Sequence, residues 1–360
     1  MQSGQFFQQS AFLWRLLRNR GAALGIFIIA LAVLTAVFAY QLAPDATPNA
    51  NRIIVELAAR KPGHSQQFVK LPRSGFTPTP AWQGWWQGRE DAVTYVPIES
   101  WFLRNDTLVA AKYVDEGITE PLLLPLQKRS PSTLLHQQRY WLGTDKFGRD
   151  MLSRLLVGVR VSLGVGLIAV LLSLTLGITL GLLAGYYRGT LDAAIMWLIN
   201  VVWSIPTLLL VFAFTLALGK GYWQVFFAIG FTLWVNVARL VRGQVLTVRE
   251  LNYVEAARAM GFPAGRIMFR HMLPNIMGPI LVLAAGNFAT AIVMEAGLSF
   301  LGLGVQPPQP SWGLMVKENY NFIITNNPAL AIAPGIAIML LVLAFNLLGN
   351  GLRDALDVRG

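Results

Sequence analysis

Six long apolar blocks, almost free of charged residues, constrain this 360-residue chain more than any other feature. A helix needs about 20 predominantly apolar residues to cross the roughly 30 Å hydrocarbon layer of a bilayer. The blocks are residues 21–39, 161–187, 193–218, 223–240, 276–297 and 329–348. Only 13% of all residues are charged, well below the level of ordinary soluble domains. The sequence therefore predicts an all-α polytopic membrane protein with six transmembrane helices.

The first block is either a retained span or the apolar part of a signal peptide. It follows Arg15, Arg18 and Arg20, and Val37-Phe38-Ala39 resembles a small-residue cleavage site. Apolar regions of signal peptides usually have only about 7–15 residues. The length of the block favours a retained span.

The distribution of arginine predicts the orientation of the spans. Lys and Arg are concentrated in short cytoplasmic loops and at the span ends that face them. With a cytoplasmic N-terminus, and with residues 41–160 set aside, the short outer loops hold only Lys220 and Lys317. The inner segments hold Arg15, Arg18, Arg20, Arg188, Arg239, Arg242, Arg249, Arg258, Arg266, Arg270, Arg353 and Arg359. Both termini are expected in the cytoplasm, and this bias explains the net charge of +11 better than nucleic-acid binding does.

Residues 41–140 differ in composition from the rest and contain no run that could cross a bilayer. They hold ten of the 19 prolines, and short β-prone runs occur at residues 92–96 and 107–114. This pattern predicts an extracytoplasmic insert with a small β-rich domain. The expected domains are thus residues 1–40 with the first span, the insert, and a five-helix core at residues 141–360.

Four tryptophans of the insert have two open interpretations. They belong either to its core or to a contact with the membrane surface, where the amphipathic indole ring is favoured. The four are Trp82, Trp85, Trp86 and Trp101.

The second span carries a stripe of small residues. These are Ser173, Gly177, Gly181 and Gly185, spaced four residues apart. This spacing keeps them on one helix face, where small side chains let another helix approach closely. The stripe predicts a helix-packing contact.

Two further residues of the spans are functional candidates. Pro206 removes a backbone hydrogen bond from the third span, so it marks either a hinge or pathway position or a static kink. Glu295 lies near the outer end of the fifth span, where a carboxylate is either functional or faces the membrane interface or caps a turn.

The segment at residues 249–274, hereafter the hairpin, is too polar to cross the membrane and rich in helix formers. Gly261 suits the C-terminal turn of one helix, and Pro263 suits the first turn of the next. Pro274 ends the second short helix. The predicted product is a helix-turn-helix on the cytoplasmic face.

The first helix of the hairpin is slim, and two interpretations of it stay open. Ala256 and Ala257 let it enter a groove on a partner protein, with Glu255 and Arg258 making charged contacts at the rim. Alternatively, the helix rests on anionic lipid headgroups.

The hairpin resembles the EAA loop of ABC importer permeases. Glu255-Ala256-Ala257, then Gly261, then Leu273-Pro274 stand at the spacing of that family. His271 replaces the family's apolar residue, a departure similar to the dipeptide, oligopeptide and nickel branch. Two more stretches resemble that branch: "LGTDKFGRDMLSRLLVGVRVSL" at residues 142–163 and "EAGLSFLGLGVQPPQPSWG" at residues 295–313. The resemblance covers residues 141–358 densely and 11–40 loosely.

The resemblance implies a permease subunit of an ATP-driven importer in the bacterial inner membrane. Its expected partners are a homologous permease, two ATPase subunits that bind ATP and Mg, an extracytoplasmic substrate-binding protein and membrane lipids. The hairpin would dock on an ATPase subunit as a coupling helix. The coupling residues carried over are Glu255, Ala256, Ala257, Arg258, Gly261, Leu273 and Pro274. Small peptides are the expected substrate, with nickel or another small solute as the alternative.

The residues of the two other stretches also predict local structure by themselves. Leu152, Leu155, Leu156 and Val159 share one face of a helix, and Arg149, Arg154 and Arg160 lie elsewhere. This pattern predicts an interfacial amphipathic helix that leads into a span. Gly302, Gly304 and the Pro307-Pro308 pair predict a tight outer loop.

Rival functions lack support in the sequence. A stand-alone secondary transporter, the alternative of another class, would show inverted repeats, broken helices and charges at mid-membrane depth. No P-loop sequence is present, so the chain is not expected to be an enzyme or to bind a cofactor. The chain has no cysteine, and its three histidines lie outside the predicted spans, so no metal site or intramembrane active site is expected.

Overall fold

The structure is a computed structural model that describes residues 12, 14–126, 130–219, 221–325 and 327–356. Lys220 and Arg359, which entered the charge count, lie outside the described residues. The described part is mostly helical and has a five-stranded sheet. Five of its helices are long and apolar enough to cross a membrane, and a bent helix pair is a sixth candidate. The prediction of a helical, polytopic chain is confirmed at this level.

The helices and strands of the described residues are arranged along the chain as follows. In chain order the helices are α1 (Arg20–Val37), α2 (Ala39–Leu42), α3 (Ala81–Gln87), α4 (Pro131–Leu134), α5 (Met151–Tyr187), α6 (Gly189–Trp203), α7 (Thr207–Leu218), α8 (Tyr222–Val248), α9 (Asn252–Ala259), α10 (Ala264–Arg266), α11 (Leu273–Leu301), α12 (Trp312–Asn319) and α13 (Ala329–Leu356). The strands are β1 (His64–Pro72), β2 (Val93–Arg104), β3 (Thr107–Asp115), β4 (Ile118–Pro125) and β5 (Leu135–Tyr140). A π-helical turn, Ile267–Met272, joins α10 to α11.

The third apolar block forms two helices, α6 and α7, and not one continuous helix with a kink. The axes of α6 and α7 meet at 91°. Pro206 stands between them with φ of −53° and ψ of 127°, which is extended backbone. A proline also disfavours helical geometry in the residue before it, here Ile205. The break therefore exceeds the kink that was expected for this block.

The chain divides into two compact units. The first, hereafter the helical unit, comprises Met1–Leu34, Ser162–Gln306 and Ala337–Gly360. The second, hereafter the sheet unit, comprises Thr35–Val161 and Pro307–Ile336. The predicted insert lies inside the sheet unit, which continues beyond both of its ends.

The core of the helical unit is built around α8. Its apolar side chains recur about every four residues, as expected for one face of a helix. Val237, Val241 and Val245 are fully buried among residues of α5 and α11. Trp234 and Ala238 pack in a second buried cluster with residues of α6. As a result, α8 is the most enclosed of the candidate spans.

The sheet unit contains an antiparallel sheet with strand order β4-β3-β2-β1-β5. Alternating side chains of each strand face opposite sides. Val69 and Leu108 are buried on one side with Leu126 and Leu134, whereas Phe68 is buried on the other with Tyr140. Apolar residues therefore cover parts of both faces of the sheet.

Candidate functional site

The turn of the hairpin is closed by a glycine. α9 is followed by Met260 and then by Gly261, whose φ of +74° lies in the left-handed region. The Phe262 amide donates to the Ala257 carbonyl at 3.2 Å, and the Gly261 amide donates to the Arg258 carbonyl at 2.9 Å. These two bonds form the Schellman termination of a helix, which favours glycine at this position.

The inner face of the hairpin is part of a shared apolar core. Val254 and Ala257 of α9 are buried in one cluster with Met268 and Met272 of the second arm, and Leu273 packs against it. The same cluster contains Val241, Val245 and Val248 of α8 and Ile276 and Ile280 of α11. Displacing the hairpin therefore requires that two long helices move with it or that this core is unpacked.

The outer face of the hairpin is exposed and carries small and charged side chains together with a few large apolar ones. Glu255, Ala256 and Ala259 are exposed, and Met260 is 64% exposed. Ala257, although adjacent to Ala256 in the motif, is only 2% exposed. The candidate coupling residues thus divide into an accessible set and a supporting set. Glu255, Ala256, Gly261 and Pro274 are accessible, Arg258 is half-buried, and Ala257 and Leu273 support the hairpin from inside.

Arginines join the hairpin to the C-terminal end of α5. Arg249 Nη1 donates to the Tyr186 carbonyl at 2.7 Å, and the Arg258 guanidinium lies 5.3 Å from the centre of the Tyr186 ring. The last carbonyls of a helix have no intrahelical partner, so Arg249 also caps α5. Partial burial, followed by the positive charges of Arg188 and Arg258, lowers the pKa of Arg249. Arg188 is paired with Glu250 at 2.6 Å.

His271 and Arg266 both contact the aromatic residue of the turn. The imidazole ring of His271 stacks on Phe262, with 5.7 Å between ring centres and 7° between planes. The Arg266 guanidinium lies 4.3 Å from the centre of the same ring. The histidine that departs from the family pattern therefore holds the second arm against the turn.

The small-residue stripe of α5 faces α8. A Cβ atom at Gly177 would lie 2.4 Å from Val237 Cβ, and one at Gly181 would lie 2.7 Å from the Ala238 carbonyl oxygen. Gly185 is equally close to Val245, and Ser173 is fully buried with its hydroxyl bonded to the Val170 carbonyl. Real Cβ atoms do not approach other atoms so closely, so any larger residue would push the two helices apart.

Polar contacts hold α6 to α8 beside the break at Pro206. Asp192 accepts from Arg242 Nε at 2.5 Å and from Nη2 at 2.7 Å. Arg239 donates to Asn200 Oδ1 at 3.1 Å. These contacts fix α6, which precedes Pro206, to α8. Such an arrangement fits a hinge at Pro206 and fits a fixed bend equally well.

Glu295 lies inside the protein, at the base of a tight turn. Ser299 Oγ donates to Glu295 Oε1 at 2.6 Å, and Ser299 Oγ itself accepts from the Val305 amide at 3.1 Å. Gly302 has φ of +84°, and a Cβ at Gly304 would lie 2.1 Å from Ser299 Oγ. The alternative that Glu295 faces the membrane interface is wrong, because the residue is fully buried.

A buried ionic network in the sheet unit was missed by the sequence reasoning. Asp145 Oδ2 accepts from Arg149 Nε at 2.6 Å, and Glu318 Oε2 accepts from Arg149 Nη2 at 2.9 Å. Arg154 lies 3.7 Å from Asp145 and 3.5 Å from Glu318. All four side chains are at most 9% exposed. No helical spacing could have revealed the network, because Asp145 and Arg149 lie in the turn before α5, where the i, i+4 rule does not apply.

This network corrects the prediction of an interfacial amphipathic helix at the start of the second span. Arg149 and Arg154 point into the protein, and Trp312 covers the same helix by donating from Nε1 to the Leu155 carbonyl at 3.0 Å. A Cβ at Gly158 would lie 3.0 Å from the Trp312 ring. The reason is that carboxylates distant in sequence, such as Glu318, provide partners that no local pattern reveals.

Buried carboxylates of the loops extend this network. The Asp45 amide donates to Ser153 Oγ at 2.8 Å, and Asp45 Oδ2 accepts from the Arg52 amide at 3.0 Å. Asp150 accepts from the Ser153 amide at 2.9 Å. Burial raises the pKa of Asp150, against the lowering effect of its bonds with Ser153. The first loop of the chain and the start of α5 are thus fixed to each other.

Comparison with known proteins places the chain in a family. Residues 177–359 match the family described as "Binding-protein-dependent transport system inner membrane component", and residues 8–58 match the "N-terminal TM domain of oligopeptide transport permease C". The chain belongs to the family of binding-protein-dependent transport system inner membrane components. It is a multi-pass permease subunit of an ABC importer, and such a subunit works with separate ATPase subunits and a binding protein.

Among curated relatives, a glutathione transport system permease protein of Pectobacterium atrosepticum is 46% identical over 218 residues, covering 61% of this chain and 72% of the relative. A dipeptide transport system permease protein of Alkalihalophilus pseudofirmus is 41% identical over 254 residues, covering 69% of this chain and 83% of the relative. Among solved structures, an inward-facing MetNI methionine ABC transporter matches 56% of this chain and 95% of its own chain, with 18% identity and a TM-score of 0.47. The resemblance to the dipeptide and oligopeptide branch is confirmed by the first two matches.

Proposed function

We propose that this permease imports small peptides and that its hairpin transmits the motion of an ATPase subunit to the membrane helices. The observation that carries the coupling role is the division of the hairpin into two faces. Its outer face is slim and accessible, whereas its inner face shares a core with α8 and α11. A push on the outer face would therefore be passed to two candidate spans as rigid-body motion.

The proposed topology has six spans, with α6 and α7 together forming the third. Both termini and the hairpin are cytoplasmic, and the insert at residues 41–140 is extracytoplasmic. The arginine distribution supports this orientation. In this arrangement residues 141–360 form the permease core, and the hairpin reaches the compartment where ATP is available.

The proposed assembly contains a homologous permease, two ATPase subunits that bind ATP and Mg, and an extracytoplasmic substrate-binding protein. Each permease supplies half of the pathway. Closure of the ATPases on ATP moves the two hairpins and changes the pathway from outward-facing to inward-facing. Pro206 and Glu295 are candidates for positions that hinge or shape this pathway.

Peptides are the proposed substrate class because the relatives named for glutathione and dipeptide transport are more than 40% identical to this chain. Glutathione is itself a small peptide, so the substrates named for the two relatives belong to the same chemical class. The test is uptake of labelled dipeptides and glutathione by cells that carry the complete importer. Uptake of nickel or of another solute, with no peptide uptake, would overturn this assignment.

The coupling role has a direct test, because the chain contains no cysteine. Cysteine at Ala256, on the exposed face of α9, should cross-link to a single cysteine in the groove of the ATPase subunit, with a yield that changes with bound nucleotide. Cysteine at Thr247, exposed on α8 outside the hairpin, is the matched control. Equal yields from the two positions, or none from Ala256→Cys in any nucleotide state, would contradict docking.

A further inference from the structure

A short tryptophan-rich helix on the sheet unit presents its aromatic rings to the surroundings. This helix, α3, carries Trp82, Trp85 and Trp86, which are 73%, 38% and 59% exposed. The alternative that these residues form the core of the insert is therefore wrong. Three exposed indole rings within five residues form an apolar patch of the kind that marks an interaction site.

The backbone of α3 is fixed to its own unit. Gly88 ends the helix with φ of +86°, and a Cβ there would lie 2.8 Å from the Ala46 carbonyl oxygen. The Arg89 amide donates to the same carbonyl at 2.7 Å. The backbone that carries the rings is therefore held in place before any partner binds, which lowers the entropy cost of association.

Arg160 joins α3 to the end of the first candidate span. Its Nε donates to the Ala36 carbonyl at 2.5 Å, and its Nη2 donates to the Val37 carbonyl at 3.2 Å. Its Nη1 donates to the Trp86 carbonyl at 2.6 Å. Ala36 and Val37 are the last residues of α1, where carbonyls lack helical partners. One guanidinium thus caps α1 and places α3 beside that helix end.

The end of α1 is where the hydrocarbon layer should also end. α1 has 18 residues, or about 27 Å of helix, and only 11% of it is buried in protein. Phe38 follows α1 directly, and its ring lies 5.4 Å from that of Trp85 in an edge-to-face contact. The lipid-facing surface of α1 therefore continues through Phe38 onto the tryptophans of α3.

We propose that α3 is a membrane-surface anchor, whose tryptophans insert into the boundary between headgroups and acyl chains where α1 ends. Tryptophan is enriched at this depth because its ring is apolar and its N–H is polar. Arg89 supports this position, since its stem covers Gly84 and its exposed guanidinium is free to meet lipid phosphates. The partner is therefore the lipid interface itself, which keeps the sheet unit at the bilayer surface.

The experiment places one cysteine in the cysteine-free chain within the complete importer complex and labels it with a polarity-sensitive fluorophore. Trp82→Cys reports on α3, and Asn105→Cys, in the polar turn between β2 and β3, is the matched control. Both complexes are reconstituted into nanodiscs with and without lipids that carry a nitroxide high on the acyl chain. Interfacial helices lie about 5–10 Å deep, so the label at position 82 should lose about half of its emission or more, and the control should lose little.

Two outcomes would overturn the anchor. The first is equal, weak quenching at both positions in a complex that still hydrolyses ATP. The second is a label at position 82 that stays in a polar environment until the binding protein is added and then becomes shielded, which would make α3 a protein-docking site. Omitting the binding protein from the first measurement separates this second outcome from lipid contact.

Discussion

The hairpin and the ionic network of the sheet unit both hold a charged segment in place, but they do so with different chemistry. The inner face of the hairpin is apolar, and its arginines reach the carbonyl and the ring of Tyr186 at the edge of that core. In the sheet unit the charges themselves are buried: Arg149 and Arg154 are enclosed with Asp145 and Glu318. The hairpin therefore keeps one face free for a partner, whereas in the ionic network the buried charges pair with one another.

This difference teaches where each region should tolerate change. An apolar core loses stability gradually as atoms are removed, and exposed positions outside it are nearly free to vary. A buried network is less tolerant, because the loss of one charge leaves its partners buried without compensation. Substitutions on the outer face of the hairpin should therefore leave stability nearly unchanged, so their effect should be on coupling to the partner. Substitutions in the network should reduce the stability of the fold.

The largest expected effect is that of Glu318→Gln. The change would leave Arg149 and Arg154 buried with one carboxylate fewer, and breaking such a pair costs about 3–5 kcal/mol. The sheet unit should then become sensitive to protease at a clearly lower temperature in the purified importer. The matched control is Arg73→Ala, which removes a salt bridge whose side chains are 58% and 57% exposed. Exposed pairs contribute about 0–1 kcal/mol, so equal effects of the two variants would contradict the comparison.

The next largest effect is expected in the apolar core that the hairpin shares with α5 and α8. Gly181→Ala would place a Cβ 2.7 Å from the Ala238 carbonyl oxygen, and such overpacking costs about 1–3 kcal/mol. Gly286→Ala on α11 is the control, since no atom of the described residues, apart from its own stretch of helix, lies within 4 Å of its added Cβ. The control should be neutral or stabilising by up to about 1 kcal/mol. Thermal unfolding of the purified importer measures both, and an unchanged midpoint for Gly181→Ala would show that α5 and α8 are less closely packed.

Much of this fold could be predicted because the relevant signals are local. Apolar blocks locate the candidate spans, and four-residue spacing marks the stripe at Gly177 and Gly181 that lies against α8. The glycine turn at Gly261 was likewise readable, since few other residues accept its backbone conformation. In each case the sequence window that carries the information is shorter than about 20 residues.

The features that were missed depend on contacts between residues far apart in sequence. Arg149 is paired with Glu318, 169 residues away, so its helix could not be distinguished from an interfacial one. The sequence alone left the surroundings of Glu295 open, because its burial depends on how the turn at Gly302 and Gly304 folds back. Within the hairpin, helical periodicity alone could have separated Ala256 from Ala257, because they are 100° apart on a helix.

A smaller effect is expected from the turn of the hairpin. Gly261→Ala should cost about 1 kcal/mol locally, because an L-residue disfavours the left-handed region. The importer should still assemble, but the substrate transported per ATP hydrolysed should fall, since the two arms no longer hold a fixed angle. Gly265→Ala on α10 is the control, because it is exposed, its φ is not positive, and nothing lies near its added Cβ. Normal coupling by Gly261→Ala would show that the geometry of the turn is unimportant.

The smallest effect is a pH dependence confined to the sheet unit. Burial lowers the pKa of His64 on β1 and of His136 on β5, with further lowering by Arg60 for the first and by Lys70 and Arg52 for the second. The folded unit then binds fewer protons than the unfolded chain, whose histidines titrate at about pH 6.5. Stability should therefore decrease as the pH falls through and below that value.

Protease sensitivity of the sheet unit, measured at pH 7.5 and 5.5, should show a slight loss of stability at the lower pH. In a His64→Gln, His136→Gln double variant this loss should shrink, whereas His271→Gln in the hairpin should leave it unchanged. The raised pKa of Asp150 acts in the opposite sense, because protonation of a buried carboxyl favours the folded state. If the double variant loses as much stability between pH 7.5 and 5.5 as the unmodified protein, the pH dependence comes from other groups. The histidines would then not distinguish the sheet unit from the hairpin.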